Sequence, residues 1–351
     1  MHERRLFHQL SLLFFLILSC FLLYHLFSIQ PVEQPFHQNL MFIPHSESYN
    51  YTYPTHLLAS NDYTTLVNYS FTFDRLNTGC NDSTLLLILI HSSPGNFRKR
   101  TVLRSTWAQK NEWTKILFVM GRTENETIQK ELTRENDSYG DLIQGSFLDT
   151  YRNLTYKHIT CLKYAIYHCP QAKYILKCDD DIFVNMPLLK NFLNFDLSPF
   201  GVSNAILCPL KHLAPVLRTY RSKWRVSFEE YPEITYPDYC LGWAILYSPD
   251  VIFQLYKSAQ NSLNIFWIDD VYITGTMVAK INVFHTDISD LVITWEDQKY
   301  LVSKNGYPRK DFLLGRPDLT ESELRALWKR VTSLEAPKSI WRRSVAEGYV
   351  R

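Results

Sequence analysis

The chain has 351 residues, 46% of them hydrophobic and 15% aromatic, which is enough apolar material for a large buried core. Its 37 Lys and Arg against 35 Asp and Glu leave a formal net charge of +2 with no basic stripe, and this excludes nucleic acid as a partner. No internal repeat or low-complexity block is present, so a solenoid is excluded as well.

The first predicted element is an apolar stretch over 10–29, uncharged from Leu10 to Phe27, close to the ~20 residues that span a bilayer. Arg4 and Arg5 precede it and no basic cluster follows soon after. The positive-inside rule therefore predicts a cytosolic tail at 1–9, a signal anchor of type II topology, and a lumenal remainder. A cleaved signal peptide is the competing reading, but the run is long for one and no small-x-small site follows at Ser28-Ile29-Gln30. Residues 30–80, rich in Pro, Ser, Thr, Asn, His and Tyr and without periodicity, read as a stem whose aromatics pack in part on the domain at 81–351. Sequons at Asn50, Asn68, Asn81, Asn125, Asn136 and Asn153 are acceptors if that region is lumenal. Outside the apolar run stand Cys80, Cys161, Cys169, Cys178, Cys208 and Cys240, an even number suited to an oxidising compartment. Their pairing is not legible, and some read equally well as buried thiols.

Strand and helix signals then alternate. Leu85 to Ile90 is a buried strand followed by the turn Ser92-Ser93-Pro94-Gly95-Asn96 and a helix from Arg98 to Gln109. Strands at 116–120, 141–144, 174–177 and 206–207 interleave with helices at 124–134, 154–169, 187–195 and 248–259. This order predicts an α/β fold, a mostly parallel sheet with helices on both faces and ligands beyond the carboxyl ends of the strands. Thr320-Glu321-Ser322-Glu323 is a capping box for a C-terminal helix.

At one such carboxyl end stands Asp179-Asp180-Asp181. Adjacent anions repel one another and are costly to desolvate, so the triplet calls for a compensating cation such as Mg2+ or Mn2+, which prefers oxygen ligands and brings a phosphorylated substrate. An acidic surface turn explains the triplet equally well on its own. A second pair, Asp269-Asp270, opens a helix, where carboxylates are favoured on electrostatic grounds alone.

Several blocks resemble, in order, the motifs of the β-1,3-galactosyltransferase family, a group of β-1,3-hexosyltransferases. Arg100-Thr101-Val102-Leu103-Arg104-Ser105-Thr106-Trp107 is similar to its RxxxRxTW signature, and Phe118 to Gly121 to its FxxG strand. The segment from Tyr139 to Lys157 is similar to its long block ending in NLTxK. Asp179 to Asp181 resemble its DxD motif, Tyr236-Pro237-x-Tyr239-Cys240-x-Gly242 its YPxYCxG element, and Asp270-Val271-Tyr272 its (E/D)DV element.

The resemblance implies an inverting glycosyltransferase of GT-A type in the Golgi membrane, using Mn2+ or Mg2+ and a UDP-sugar to extend a glycan on a glycoprotein or glycolipid. It implies Asp181, with Asp179, as metal ligands that neutralise charge on the leaving diphosphate, and Asp270 as the base that deprotonates the acceptor hydroxyl. Arg100, Arg104, Lys157, Asp179 and Asp180 are its nucleotide-sugar candidates, although helix arginines are as readily salt-bridged. Tyr239, Gly242, Trp243 and Asp269 are the acceptor-side candidates. His285, the only histidine after the acidic pair, is a third metal-ligand candidate, with an ordinary strand-end histidine as the alternative. Two departures bear on specificity: Asp269 stands where many members carry Glu, and Cys240-Leu241-Gly242-Trp243-Ala244 replaces a glycine-rich stretch. A catalytically silent partner of another transferase, a metal-dependent lumenal lectin, and a homodimer or enzyme complex are further expectations compatible with the same residues.

Overall fold

In the computed structural model, residues 19, 42–47, 51–58, 80–262, 264–304, 311–334 and 338–340 are described. In chain order the strands are β1 (Ile43–Pro44), β2 (Leu86–His91), β3 (Thr114–Arg122), β4 (Leu142–Leu148), β5 (Tyr174–Asp179), β6 (Val202–Ser203), β7 (Ile206–Cys208), β8 (Leu210–Lys211), β9 (Tyr239–Cys240), β10 (Ala244–Tyr247) and β11 (His285–Asp287). The α-helices are α1 (Phe97–Arg104), α2 (Glu126–Tyr139), α3 (Leu154–His168), α4 (Met186–Asn191), α5 (Pro249–Gln260), α6 (Trp295–Lys304) and α7 (Glu321–Thr332).

Seven strands form the central sheet in the order β11-β7-β10-β5-β2-β3-β4. β3 and β5 flank β2 in parallel, β4 continues parallel to β3, and β11 runs parallel to β7. β10 alone runs antiparallel, pairing with both β5 and β7. The expected mostly parallel α/β sheet is therefore present with one reversed strand inside it. All six residues of β2 are buried, as a strand covered on both faces requires. Its pleat sends Leu86, Ile88 and Ile90 into one core with Val102, Leu103 and Trp107 of the α1 region and Leu324 and Leu327 of α7. Leu87 and Leu89 point the other way, into a core with Leu162 and Ile166 of α3 and Val251 and Leu255 of α5.

Local chemistry accounts for the departures from the predicted boundaries. α1 stops at Arg104 because the hydroxyls of Ser105 and Thr106 both return to the Val102 carbonyl, competing with further helix. Ser248 stands at the N-cap of α5, but its hydroxyl accepts from Ala205 N–H rather than from the helix. The capping box at Thr320 and Glu323 is formed. Within the predicted stem, Phe42, Tyr53 and Leu58 are buried and β1 pairs with β6, so part of that stretch does pack on the domain. One compact unit spans Leu40–Tyr349. Among the described residues no helix is long and apolar enough to cross a membrane; the 10–29 run (Ser19 excepted), Asn50 and Asn68 lie outside them. Asn81 and Asn125 are exposed, and Asn136 and Asn153 are half-buried.

Disulfides join Cys80 to Cys169 and Cys208 to Cys240, while Cys161 and Cys178 are buried thiols. Closing loops of 89 and 32 residues of sequence separation stabilises by roughly 4 kcal/mol each on the chain-entropy model.

The signature arginines are framework rather than ligand-binding groups. Arg100 is fully buried, and all five of its N–H donors are used, on both oxygens of Glu135, on Ser92 Oγ and on the carbonyls of Ser93 and Pro94. Arg104 grips Asp141 through two bonds of 2.8 Å, reaches Glu135 at 2.7 Å and lies over the rings of Phe118 and Tyr139. Both therefore fasten α1 to α2, and Arg104 also fastens it to Asp141 at the start of β4, which corrects their assignment to the nucleotide. Arg100→Met is expected to destabilise the fold by about 3–5 kcal/mol, since it removes one partner of a buried ion pair. Denaturant unfolding measures that loss, and UDP affinity of the folded fraction should stay within about twofold.

Candidate active site

The pleat of β5 divides the acidic triplet between the two faces of the sheet. Cys178 lies on the α1 face, and beyond the strand end Asp180 turns to the same side; Lys177 and Asp179 take the opposite face. Asp180 is enclosed: Ser92 Oγ donates at 2.7 Å, Asn96 Nδ2 at 2.8 Å and Lys99 Nζ at 3.1 Å. Asp181 shares Lys99 at 3.4 Å and faces Asp318, which the 312–319 segment carries alongside 181–185. The side chains of Asp179 and Asp181 are 40% and 24% exposed against 7% for Asp180, so the outer two are the carboxylates open to a ligand. Burial, opposed by Lys99 and reinforced by Asp180 and Asp318, raises the Asp181 pKa.

On the other face Lys177 is buried with its ammonium 3.2 Å from Asp179 and 3.7 Å from Asp269, and it donates to the Gly242 carbonyl. Burial opposes that charge, yet Asp179 and Asp269 hold the ammonium above the usual lysine range. Asp269 is itself buried and bonded to His158 Nδ1 at 2.9 Å, and His158 Nε2 meets the Tyr247 hydroxyl at 3.1 Å. Burial pushes the Asp269 pKa up, but Lys177 and His158 more than reverse this and leave it below the ordinary carboxylate range. Asp270 responds oppositely. Burial and then the neighbouring Asp269 charge raise its pKa, against backbone N–H donors from Val271 and Gly242 and the more remote Lys177.

Asp270 caps the π-helical turn Val271–Met277 through a 2.8 Å bond from Val271 N–H. Gly242 lets the β9–β10 turn approach it: a Cβ there would lie 3.0 Å from Asp270 Cβ and 3.3 Å from its Oδ2. Trp243 is half-buried against the core and its carbonyl accepts Asp179 N–H at 3.1 Å. Tyr239 is half-buried, and burial with the Asp270 charge pushes its phenol up to about 12. Asp179, Gly242, Trp243, Tyr239, Asp269 and Asp270 thus share one rim, and all were expected at the site.

Three residues fall elsewhere or take another part. Lys157 is turned inward, bonded to Asp149 at 2.9 Å and to the Ser92 carbonyl at 2.9 Å, so it braces strand ends instead of meeting a nucleotide. His285 opens β11 with Nε2 against the Thr274 carbonyl at 2.6 Å, which is the ordinary strand-end alternative. Asp180, held by three donors, is closed to a nucleotide by its own partners. Among the described residues no group of three His, Cys, Asp or Glu side chains is disposed to hold a metal. Sequence reasoning also missed contributors: Lys177, His158, Lys99 and Tyr151. Tyr151 is 42% exposed, its ring is 5.8 Å from Trp267, and burial together with Asp270, Asp269 and Asp179 pushes it up to about 12. Lys177 and Tyr151 stood within the stretches that resemble the DxD frame and the block ending in NLTxK, without a role of their own, and His158 and Lys99 lay inside predicted helices with nothing to mark them. A cavity lined by Tyr51, Tyr53, Pro170 and Lys173 and another lined by His45, Leu197 and Phe200 share no residue with this rim.

Residues 98–289 match the family model described as Galactosyltransferase. The chain belongs to the galactosyltransferase family. Among curated relatives it is 32% identical over 295 residues to the human lactosylceramide 1,3-N-acetyl-beta-D-glucosaminyltransferase, covering 78% of this chain and 74% of that protein. The Mus musculus protein of the same name is 30% identical over 292 residues, with 78% and 76% covered. A solved galactosyltransferase, LgtC with donor and acceptor sugar analogs, overlaps 73% of this chain and 99% of its own at a TM-score of 0.33 and 10% identity, an overlap too shallow to define any detail here.

Gly242→Ala is expected to push Asp270 aside by a few tenths of an ångström and lower enzymatic turnover by at least tenfold, with little change in thermal stability. Steady-state kinetics beside a melting curve test this, and unchanged turnover would dissociate the close approach from function.

Proposed function

We propose that this chain is an inverting, UDP-sugar-dependent β-1,3-hexosyltransferase of GT-A type that moves N-acetylglucosamine to the 3-hydroxyl of a sugar acceptor on a glycolipid or glycoprotein. The names of the relatives favour that donor, with galactose as the alternative. The observation that carries the reading is the arrangement of the paired carboxylates: Asp269 is bonded to His158 at 2.9 Å and faces Lys177 at 3.7 Å, while Asp270 beside it on the same rim has no cationic partner within ion-pair distance among the described residues, and burial followed by the Asp269 charge raises its pKa.

Asp270 takes the proton from the acceptor hydroxyl. The freed oxygen attacks the anomeric carbon opposite the UDP, the new glycosidic bond forms as the bond to the β-phosphate oxygen breaks, and UDP leaves with the electron pair. Inversion follows from that single displacement. Asp179 and Asp181 would hold Mn2+ or Mg2+, and such an ion completes its shell with phosphate oxygens and water, which suits two open carboxylates. Bound there, it would neutralise charge on the departing diphosphate. Lys99 supplies a positive charge beside Asp181, which it shares with Asp180, and Lys177 supplies one beside Asp179. Tyr239, Trp243 and Tyr151 offer aromatic surface to the sugar rings.

The chain is placed, in this reading, as a type II protein of the Golgi membrane with residues beyond the 10–29 run in the lumen. Two disulfides and exposed sequons at Asn81 and Asn125 support an oxidising, glycosylating compartment. Glycosidase sensitivity and protease protection in intact vesicles are the measurements for it.

The direct test is UDP release from a panel of UDP-sugars with Mn2+, followed by linkage analysis of the product. UDP-N-acetylglucosamine should be the best donor and the product linkage β-1,3; inertness toward every donor, with glycan binding intact, would leave a lectin instead. Asp270→Asn should lower kcat by about 10²–10⁴-fold while UDP affinity is retained.

The pH dependence has a definite sign. Because the Asp270 pKa is raised in the folded state, kcat/KM should fall on the acid side with a midpoint above the ordinary carboxylate range. A raised folded-state pKa also means that the charged form costs stability at high pH, a cost that vanishes once pH drops below the unfolded value. Asp270→Asn should therefore raise stability at neutral pH, by an amount on the order of a few kcal/mol, and have no such effect near pH ~3. Melting curves at the two pH values check it.

A further inference from the structure

Lys99 reaches the acidic triplet from the first turn of α1. Its ammonium lies 3.1 Å from Asp180 Oδ1 and 3.4 Å from Asp181 Oδ2, and its side chain is 39% exposed. The two carboxylates depend on it unequally. Asp180 also accepts from Ser92 Oγ and Asn96 Nδ2. Ser92 is fixed in turn by Arg100, and Asn96, at the N-cap of α1, makes no side-chain bond to the helix and is left for Asp180. Asp181 has no side-chain donor other than Lys99 among the described residues. Withdrawal of the lysine would leave Asp180 in place and uncover Asp181 alone.

The other cations of this region are not placed for such a movement. Arg100, Arg104 and Lys157 face buried carboxylates and carbonyls, and Lys177, 3% exposed, lies on the opposite face of the sheet between Asp179 and Asp269. Lys99 has solvent on one side and the acidic strand end on the other. Charge gives that position a consequence. An ammonium on Asp181 repels a dication that seeks the same carboxylate, so the two compete for it. A diphosphate reverses the balance: it offers the ammonium an anionic partner and adds oxygen ligands to the shell of the metal.

We propose that Lys99 couples metal to nucleotide: it contends with a divalent cation for Asp181 and transfers its bond to the diphosphate of the donor, so that the two ligands bind tightly only together. This rests on the reading of Asp179 and Asp181 as metal ligands in a UDP-sugar transferase and adds to it that neither ligand is held well alone.

The test measures Mn2+ binding to the full chain in detergent micelles by electron paramagnetic resonance, with and without UDP, for wild type, Lys99→Met and Lys99→Arg. Met keeps the length and helix propensity of the side chain and removes its charge. Without UDP, Lys99→Met should bind Mn2+ about tenfold more tightly than wild type, because the competitor and its repulsion are both gone. UDP should tighten Mn2+ binding about 100-fold in wild type and no more than about tenfold in Lys99→Met, with Lys99→Arg retaining most of the wild-type effect. Unchanged or weaker Mn2+ binding by Lys99→Met without UDP overturns the proposal and makes the lysine a prop for Asp181, and an undiminished effect of UDP overturns it too. If no protein binds Mn2+ even with UDP present, the metal reading falls and the proposal with it. The expected coupling in a chain inert toward every donor would uphold the part played by Lys99 and reject the transferase reading.

Discussion

A buried lysine ammonium between two carboxylates is the constraint from which the rest of the site follows. Lys177 is supplied by the interior of β5, where solvent cannot stabilise its charge, and an uncompensated cation there would cost several kcal/mol. Asp179 on the same strand and Asp269 on a different element both answer it, and the Gly242 carbonyl takes a further donor. The strand end and the start of the π-helical turn are thereby tied to one point. His158, steadied by Tyr247, holds the far side of Asp269. Asp270 is left as the carboxylate with no ion pair of its own among the described residues, and burial, followed by the Asp269 charge, raises its affinity for a proton.

The same logic separates what the family motifs do from where they sit. Arg100 and Arg104 lie one helical turn apart on a single face, as any amphipathic pair would, and the spacing alone cannot distinguish a ligand-facing pair from a structural one. The partners decide it. Glu135 takes donors from both arginines and Asp141 from Arg104, both carboxylates deeply enclosed, so this part of the signature is a joint between α1, α2 and β4, with Arg104 Nη1 left as a buried donor without a partner. Lys157 plays the corresponding part at the ends of β2 and β4 through Ser92 and Asp149.

Much of this architecture was legible in the residues. The apolar runs at 85–90, 116–120 and 174–177 are the strands that carry the sheet, and the acidic triplet stands at a carboxyl end as its flanks implied. Period-two alternation also separates Lys177 and Asp179 from Cys178. What the alternation does not give is what each face meets. Asp318 reaches Asp181 only because a C-terminal segment returns along 181–185, and His158 reaches Asp269 across 111 positions of sequence. His285 is a third-ligand candidate by elimination, but its Thr274 bond arises from tertiary packing that spacing does not encode. Helix was expected at 187–195 and after Asp269-Asp270, but the π-helical winding of Phe192–Leu197 and Val271–Met277 was not legible there.

β10 is the one reversed strand of the sheet, and its register against β5 sets Ala244 opposite Cys178 and Ile245 opposite Lys177. Because it runs backwards, its beginning meets the finish of β5, and the turn bearing Gly242 abuts the acidic end without any long connection. Chemistry at this rim therefore hangs on a ladder of main-chain bonds that no ligand touches. A slip of β5 by one rung along it would turn Lys177 toward α1 and strand Asp269 without that counterion. Inert-looking substitutions in 244–247 are thus a route by which the lineage could silence the reaction while every motif stayed intact.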